Sequence, residues 1–151
     1  MNEFIMRVEI ISIGDELLIG QVVNTNAAWM GRELSSRGFI ITAVTTVGDK
    51  SDDIIRAIDI AFGRADILLL TGGLGPTNDD ITKHTLCQYF HTALEFNDEV
   101  LQNIESVFLK KNIQLNQLTR NQAYVPASAT VIQNKVGTAP ILWFNKEEKV
   151  L

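Results

Sequence analysis

The chain has few of the features that are typical of secreted, membrane-spanning or nucleic-acid-binding proteins. It contains one cysteine, Cys87, and a lone cysteine cannot form an intramolecular disulfide, which agrees with a reducing compartment. Its longest run of leucine, isoleucine and valine covers residues 67–70, whereas a membrane-spanning helix needs roughly 20 apolar residues. With 18 acidic against 13 basic side chains, the chain repels polyanions. We therefore expect a cytoplasmic protein that binds neither membranes nor nucleic acids.

The apolar pattern predicts strands that alternate with helices. Residues 7–13 are rich in β-branched side chains and are followed by Gly14, as in a buried strand. Residues 66–71 are apolar on both faces, as in the middle of a parallel sheet. This alternation implies a mostly parallel sheet in a three-layer α/β/α sandwich. We predict strands at residues 7–13, 40–47, 66–71, 130–133 and 141–144. One helix is predicted to be capped by Asn24 or Thr25, one by Ser51 and one by Asn97, and a further helix is predicted to begin at Ile81. The apolar stripe of the helix after Ser51 is expected at Ile54, Ile58, Ala61 and Phe62, and core positions are expected at Trp29, Phe62 and Phe108.

The sequence shows no internal repeat, low-complexity tract or linker, and 151 residues suffice for one hydrophobic core. A further strand is predicted to begin at Lys149, two residues before the last residue. We therefore expect residues 1–151 to form a single domain that is truncated at its C-terminus.

Two unusual loops follow the first and third predicted strands. The first is Gly14-Asp15-Glu16, and the second is the segment GGLGPTNDD at residues 72–80. In an open parallel sheet, ligands bind beyond the carboxyl ends of the strands. The three glycines of the second loop let backbone N–H groups approach a ligand closely, and the N-terminus of the following helix favours an anion such as phosphate. The sequence therefore predicts an anion site at this edge of the sheet.

Four carboxylates flank the predicted crevice, namely Asp15, Glu16, Asp79 and Asp80. Brought together, they would repel and raise one another's pKa unless a cation lay between them. A hard divalent metal with oxygen ligands removes this repulsion and bridges to a diphosphate. The alternative is structural, because acidic residues in the first turn of a helix complement its dipole. We interpret Asp52 and Asp53 in this structural way.

Other site chemistries are less favoured. No lysine follows Gly75 as in a P-loop, the glycine spacing is not that of a dinucleotide site, and no Gly-x-Ser-x-Gly elbow occurs. Three zinc ligands on one straight helix do not converge easily, so we favour packing or surface roles for His84, Cys87 and His91. Arg120 and Lys135 could neutralise a phosphate or lie on the solvated surface.

Five motifs occur in order along almost the whole chain. They are GDELLxGQ at residues 14–21, NTNA at 24–27, TGGLGPTxDDxT at 71–82, QAxxP at 122–126 and GTAP at 137–140. Together they resemble the N-terminal domain of the competence/damage-inducible CinA family, which has the molybdopterin-binding, MoaB/Mog-like fold. The chain departs from this pattern after Pro140, where the family usually has glycine and then phenylalanine or methionine and this chain has Ile141 and Leu142.

The resemblance implies an activity. In the CinA family, this domain hydrolyses the diphosphate of ADP-ribose to AMP and ribose 5-phosphate, with magnesium or cobalt and with potassium. Related domains bind molybdopterin and activate it by adenylylation, so a molybdopterin-binding or molybdenum-cofactor biosynthesis domain is the alternative. A regulatory or oligomerising module without turnover is a third hypothesis. The relatives also suggest a homodimer or homotrimer.

The resemblance further assigns roles to residues. Asp15, Asp79 and Asp80 would be ligands of the metal or of its water, and Glu16 would orient a water. Backbone donors of the glycine-rich loop and a threonine hydroxyl would hold phosphate oxygens, with an asparagine at the edge of the site and a second loop that allows close ligand approach. The implied ligand-binding residues are Asn26, Gly72, Gly73, Gly75, Thr77, Thr82, Gly137 and Thr138.

Overall fold

The computed structural model describes residues 5–75 and 81–151. The chain divides into two compact units: the first runs to Gly73 and includes Asn145–Leu151, and the second is Leu74–Phe144. The strands are β1 Arg7–Ile13, β2 Ile40–Val47, β3 Ile67–Thr71, β4 Leu94–Phe96, β5 Tyr124–Pro126, β6 Thr130–Ile132, β7 Ile141–Trp143, β8 Asn145–Lys146 and β9 Lys149–Val150. The helices are α1 Asp15–Leu18, α2 Thr25–Ser36, α3 Ser51–Phe62, α4 Thr82–Tyr89, α5 Asp98–Lys111 and α6 Gln117–Arg120, with a 3-10 turn at Asn121–Ala123.

The first unit is built on a five-stranded, mostly parallel sheet with the order β2-β1-β3-β9-β8. Strand β1 pairs in parallel with β2 on one side and β3 on the other, so that Ile10 lies opposite Val44 and Leu69. Strand β9 extends the sheet in parallel beside β3, and β8 pairs antiparallel with β9. The predicted fold class, an α/β fold with a mostly parallel sheet, is confirmed.

The helices that follow β1 and β2 cover opposite faces of this sheet. Side chains alternate along a strand, so Glu9 and Ser12 of β1 point to opposite faces. Ser12 accepts a hydrogen bond from Asn24 at the start of α2, whereas Glu9 lies with Ala57 of α3 along the other face. The predicted apolar stripe of α3 is confirmed, because Ile54, Ile58, Ala61 and Phe62 are all buried.

Two local predictions in the first unit are wrong. Trp29 is 59% exposed and does not belong to the core. The buried residue of α2 is Ala27, and two residues further along a helix with 3.6 residues per turn the side chain points about 200° away from it. Ser51 is the first residue of α3 and not its cap, because the N-cap is Lys50.

The second unit contains the antiparallel pairs β4-β5 and β6-β7. The two strands of the first pair were not predicted. Asn97 caps α5 as predicted, and its side chain accepts a hydrogen bond from the backbone N–H of Val100. The core of this unit consists of Val100, Ile104, Ala123 and Val125, and the predicted core residue Phe108 packs against it partly buried.

Across residues 5–75 and 81–151, none of the helices combines the length and the apolar character that a membrane crossing requires.

Candidate functional site

The first predicted loop, Gly14-Asp15-Glu16, is in fact the start of the one-turn helix α1, because Gly14 is its N-cap and Asp15 its first residue. The backbone N–H of Gly14 donates to the carbonyl of Val47 at 2.9 Å, which fixes the loop to the end of β2. The carboxylate of Glu16 folds back over Gly14, since a Cβ built on Gly14 would lie 2.4 Å from Glu16 Oε1. A side chain at Gly14 would therefore displace the Glu16 carboxylate.

The loop after β3 runs directly against the end of β1. Gly72 has φ 105°, and a Cβ at this position would lie 2.0 Å from the carbonyl oxygen of Ile13. Only glycine fits this backbone path, because the approach is main chain to main chain. Within the first unit, the beginnings of the two predicted loops are thus neighbours.

A cavity of about 160 Å³ lies at this junction. The carboxylate-bearing Glu16 lines it on one side and Gly72 on another, and Asn26 belongs to its wall. Asn24, which also lines the cavity, is held on both sides: its Nδ2 donates to Ser12 Oγ at 2.8 Å and its Oδ1 accepts the N–H of Ala27 at 3.1 Å. The structure therefore brings together three of the predicted residues, Glu16, Asn26 and Gly72.

Asp15 lies elsewhere, although it is adjacent to Glu16 in the sequence. Its Oδ1 accepts the N–H of Asp49 at 3.2 Å, and its own N–H donates to Asp49 Oδ2 at 3.0 Å. A Cβ on Gly48 would lie 2.3 Å from Asp15 Oδ1, so Gly48 makes room for this carboxylate. Asp15 thus ties the loop after β1 to the loop after β2, and Asp49 is a partner that the sequence analysis missed.

Of the remaining predicted residues, one ends the first unit, four belong to the second unit and three fall in the undescribed segment. Thr77, Asp79 and Asp80 lie outside the described residues, so the predicted metal ligands among them stay a prediction. Gly73 has φ 62° and ends the first unit, whereas Gly75, Thr82, Gly137 and Thr138 belong to the second. Within the described ranges, no three histidine, cysteine, aspartate or glutamate side chains are grouped so that they could hold a metal ion.

The predicted second ligand loop is a closed turn that two asparagine amides hold. Asn134 Nδ2 donates to the carbonyl of Ala139 at 3.0 Å, and Asn103 Nδ2 donates to the carbonyls of Asn134 at 2.9 Å and Gly137 at 3.3 Å. A Cβ on Gly137 would lie 2.9 Å from Asn134 Nδ2. The missing side chain of Gly137 therefore accommodates Asn134 inside the protein.

The contact between Asn134 and Gly137 should contribute to the stability of the protein. Asn134→Ala and Gly137→Ala are each expected to lower the free energy of unfolding by about 1 kcal/mol, because each disturbs the partly buried hydrogen bond from Asn134 Nδ2 to the carbonyl of Ala139. The double variant is expected to be no less stable than Asn134→Ala alone, since the clash at Gly137 requires the Asn134 side chain. Urea denaturation of the four proteins measures this cycle, and additive losses would contradict it.

The residues for which the sequence favoured packing or surface roles show no sign of site chemistry among the described residues. His91 has φ 51° and lies beyond α4, so it does not share a helix face with His84 and Cys87. Burial raises the pKa of the Cys87 thiol, against a smaller opposing effect of Lys83, which disfavours the reactive thiolate. Arg120 pairs with Glu105 at 3.2 Å, with both side chains nearly half exposed.

A larger cavity of about 490 Å³ lies along the opposite face of the same sheet, between β2 and α3. Its buried floor is Glu9, whose carboxylate accepts two hydrogen bonds from Arg64, both 2.7 Å long, and one from Thr45 at 2.9 Å. Asp53 and Arg56, at its edge, pair at 3.5 Å on α3. The charged groups of this cavity therefore satisfy one another, and we assign the candidate ligand site to the smaller cavity.

The family model described as "Probable molybdopterin binding domain" matches residues 9–150. The chain belongs to this family. Within the family it is CinA-like: a crystal structure described as the protein CinA with unknown function, from Thermoplasma acidophilum, is 31% identical with a TM-score of 0.83, and the match covers 97% of this chain and 85% of that one. The recognition from the five motifs is thereby confirmed.

Sequence relatives agree with this branch of the family. The chain is 46% identical to a competence-damage inducible protein of Caldicellulosiruptor saccharolyticus and 46% identical to a CinA-like protein of Cytophaga hutchinsonii, over 96% and 91% of its own length. It spans only 35% and 33% of those relatives, about a third of each. The tungsten cofactor synthesizing protein MoaB of Pyrococcus furiosus, 19% identical with a TM-score of 0.60 over 98% of this chain and 79% of that one, shares the fold.

Proposed function

We propose that this CinA-like domain binds a nucleotide-sugar diphosphate such as ADP-ribose and hydrolyses it to AMP and ribose 5-phosphate. The observation that carries the proposal is the contact between the two loops in the first unit, where Gly72 and Glu16 both line one cavity. Gly73, with φ 62°, leaves the main chain open to close approach by phosphate oxygens, whereas the side of Gly72 that a Cβ would occupy faces the carbonyl oxygen of Ile13. Gly75, Thr77 and Thr82 extend this phosphate contact in the proposal, and Asn26 contacts the ligand at the edge.

The donor set is compatible with a divalent metal, which the proposal includes as magnesium or cobalt, with potassium as a second ion. Magnesium is commonly held by one or two carboxylates together with substrate phosphates, without a dedicated protein cage. We assign Asp79 and Asp80 to it, and Asp15 through Oδ2, because Oδ1 accepts the N–H of Asp49. When bound, the ion would neutralise the diphosphate and polarise the attacking water.

Glu16 has a different role in this proposal. The residue lines the cavity, and its carboxylate, which folds back over Gly14, would accept a hydrogen bond from a water and so orient that water toward phosphorus. Gly137 and Thr138 form the second ligand loop, whose shape the asparagine amides fix from inside.

Incubation of the chain with ADP-ribose and magnesium or cobalt tests the proposal. We expect release of AMP and ribose 5-phosphate, and a fall in kcat/KM of about tenfold or more in Glu16→Gln, Asp79→Asn and Asp80→Asn, since each variant removes a charge at the reacting diphosphate. Product release is measured by chromatography and the variants are compared at equal concentration.

Asp52→Asn is the matched control, because it removes an acidic side chain from the first turn of α3. It is expected to keep the parental rate. No product at substrate excess, or equal rates in all four variants, would contradict the proposed hydrolysis.

Molybdopterin binding is the second candidate, and the description of the matching family favours it. Retention of molybdopterin through gel filtration would support this function. A ligand that binds the native state raises Tm by mass action, so thermal unfolding with each ligand ranks the two candidates. If neither ligand raises Tm, the regulatory or oligomerising module becomes the better hypothesis.

Location and assembly complete the proposal. We place the domain in the cytoplasm, where nucleotide sugars and reduced thiols occur together, and we expect a homodimer or homotrimer, as suggested by the CinA resemblance. Analytical ultracentrifugation measures the assembly directly.

A further inference from the structure

Gln122 connects two parts of the second unit that are distant in sequence. The residue is 3% exposed, and its Nε2 donates to the carbonyl of Leu74, in the glycine-rich loop, at 3.4 Å, which is long for an N–H···O hydrogen bond. Its backbone carbonyl accepts a hydrogen bond from Lys83 Nζ at 3.1 Å, and the same ammonium donates to the carbonyl of Tyr124 at 2.9 Å. Lys83 is itself buried on α4.

The orientation of the Gln122 amide follows from its neighbour. A carbonyl oxygen only accepts hydrogen bonds, so the NH₂ end of the amide must face Leu74 and the Oε1 end must point away. Oε1 is buried and accepts no hydrogen bond from the part of the chain that the structure describes. A buried carbonyl oxygen without a donor costs about 1–3 kcal/mol.

A glutamine at position 122 is therefore not the residue that would make the folded state most stable. An apolar side chain of the same length would fill this space without leaving an unpartnered oxygen, and replacement of such polar groups by apolar ones is often neutral or stabilising. What only the amide provides here is a donor to the glycine-rich loop. A stability cost at a buried position is typical of a residue that serves a site.

We propose that Gln122 is a positioning residue for the glycine-rich loop. Its amide holds the Leu74 carbonyl, and Lys83 fixes the backbone of Gln122 relative to α4, whose first residue is Thr82. Gln122 thereby sets the distance between the glycine-rich loop and Thr82. In the proposed function, on which this inference rests, both contact the same diphosphate.

Three measurements on Gln122→Met test this role. We expect Tm to stay within about 2 °C of the parent or to rise, hydrogen–deuterium exchange in a peptide that covers residues 70–75 to become at least threefold faster, and kcat/KM for ADP-ribose to fall about tenfold. Gln122→Glu keeps the length and shape but loses the donor, and we expect it to show the same faster exchange. Gln117→Met, which removes an exposed glutamine of α6, is the matched control and should change none of the three quantities.

The outcomes separate the two proposals. Faster exchange together with lower kcat/KM at unchanged Tm supports the positioning role. If exchange becomes faster in Gln122→Met but the parent protein does not hydrolyse ADP-ribose, the contact between Gln122 and the loop is supported and the proposed hydrolysis is overturned. Unchanged exchange, unchanged kcat/KM in an active parent, or a large drop in Tm with normal kinetics overturns the positioning role.

Discussion

Gly72→Ala is expected to lower the free energy of unfolding by about 4 kcal/mol, the largest effect of any single substitution proposed for this chain. The new Cβ would lie 2.0 Å from the carbonyl oxygen of Ile13, far inside van der Waals contact. Neither partner can move away cheaply, because Ile13 is the last residue of β1 and β1 is paired on both sides. Residue 72 must also keep φ 105°, a conformation that L-residues rarely adopt.

Gly38→Ala separates the clash from the backbone strain. Gly38 follows α2 with φ 87°, and a Cβ there would meet no atom within 4 Å. We therefore expect a loss of only about 1 kcal/mol from the left-handed backbone conformation. For a chain of this size, about 4 kcal/mol corresponds to a fall in Tm of roughly 8–16 °C. Equal losses in the two variants, measured by urea and thermal denaturation, would show that the contact with Ile13 is not tight.

Gly72 also illustrates what the sequence could predict about the site. The glycine-rich motif indicated close backbone approach, and the structure places such an approach at Gly72. The motif could not show that the neighbour of Gly72 is main chain of β1, because that contact depends on the register between β1 and β3. The same limit applies to Gly137, because the motif could not show that the Asn134 side chain packs where a Cβ at residue 137 would lie.

Local signals predicted most elements of the first unit well. The cap at Asn24, the stripe of α3 and the bounds of β1 and β2 are all set by short-range chemistry: a side chain that accepts a nearby N–H, helical spacing, and glycine after a β-branched run. The equally short β6 and β7 are continuous runs of β-branched and apolar residues, whereas β4 contains a glutamate and β5 a proline. The strands β4 and β5 were therefore missed, and their pairing joins Phe96 to Tyr124, 28 positions apart. No local pattern reports such a pairing.

Long-range polar contacts were the hardest to predict. Asp15 and Glu16 are adjacent and chemically similar, yet Asp15 bonds to Asp49 while Glu16 lines the cavity. Their surroundings differ because the loop after β2 places Asp49 beside Asp15. Glu9 was not singled out from the sequence, because its partner Arg64 is 55 residues away.

Glu9→Ala is expected to lower the free energy of unfolding by about 3 kcal/mol at neutral pH. The Glu9 side chain is 1% exposed and accepts three short hydrogen bonds, two from Arg64 and one from Thr45. Its removal leaves a space in the floor of the larger cavity and deprives the Thr45 hydroxyl of its acceptor. The figure is modest for a buried ion pair because the Arg64 side chain is 47% exposed and regains water.

Glu105→Ala provides the control for this prediction. Its partner Arg120 forms one ion-pair contact at 3.2 Å, with both side chains nearly half exposed. Exposed pairs of this kind contribute little, so we expect a change below about 1 kcal/mol. If Glu9→Ala is no more destabilising than Glu105→Ala in urea denaturation, the buried pair does not stabilise the sheet face beneath α3.

The contribution of Glu9 should also depend on pH. Hydrogen bonding from Arg64 lowers the pKa of Glu9 below its ordinary value, against the opposing effect of burial, and the Thr45 hydroxyl and the charge of Arg64 lower it further. A carboxylate with a lowered pKa in the folded state stabilises that state above its unfolded-state pKa, and this stabilisation is lost as the pH falls through the folded-state pKa. The stability gap between the parent and Glu9→Ala is therefore expected to be constant above about pH 5 and to narrow below about pH 4.3, the ordinary pKa of glutamate. Urea denaturation from pH 7 to pH 3 measures the gap, and a gap that widens toward acid pH would mean that Glu9 is held neutral and not as a carboxylate.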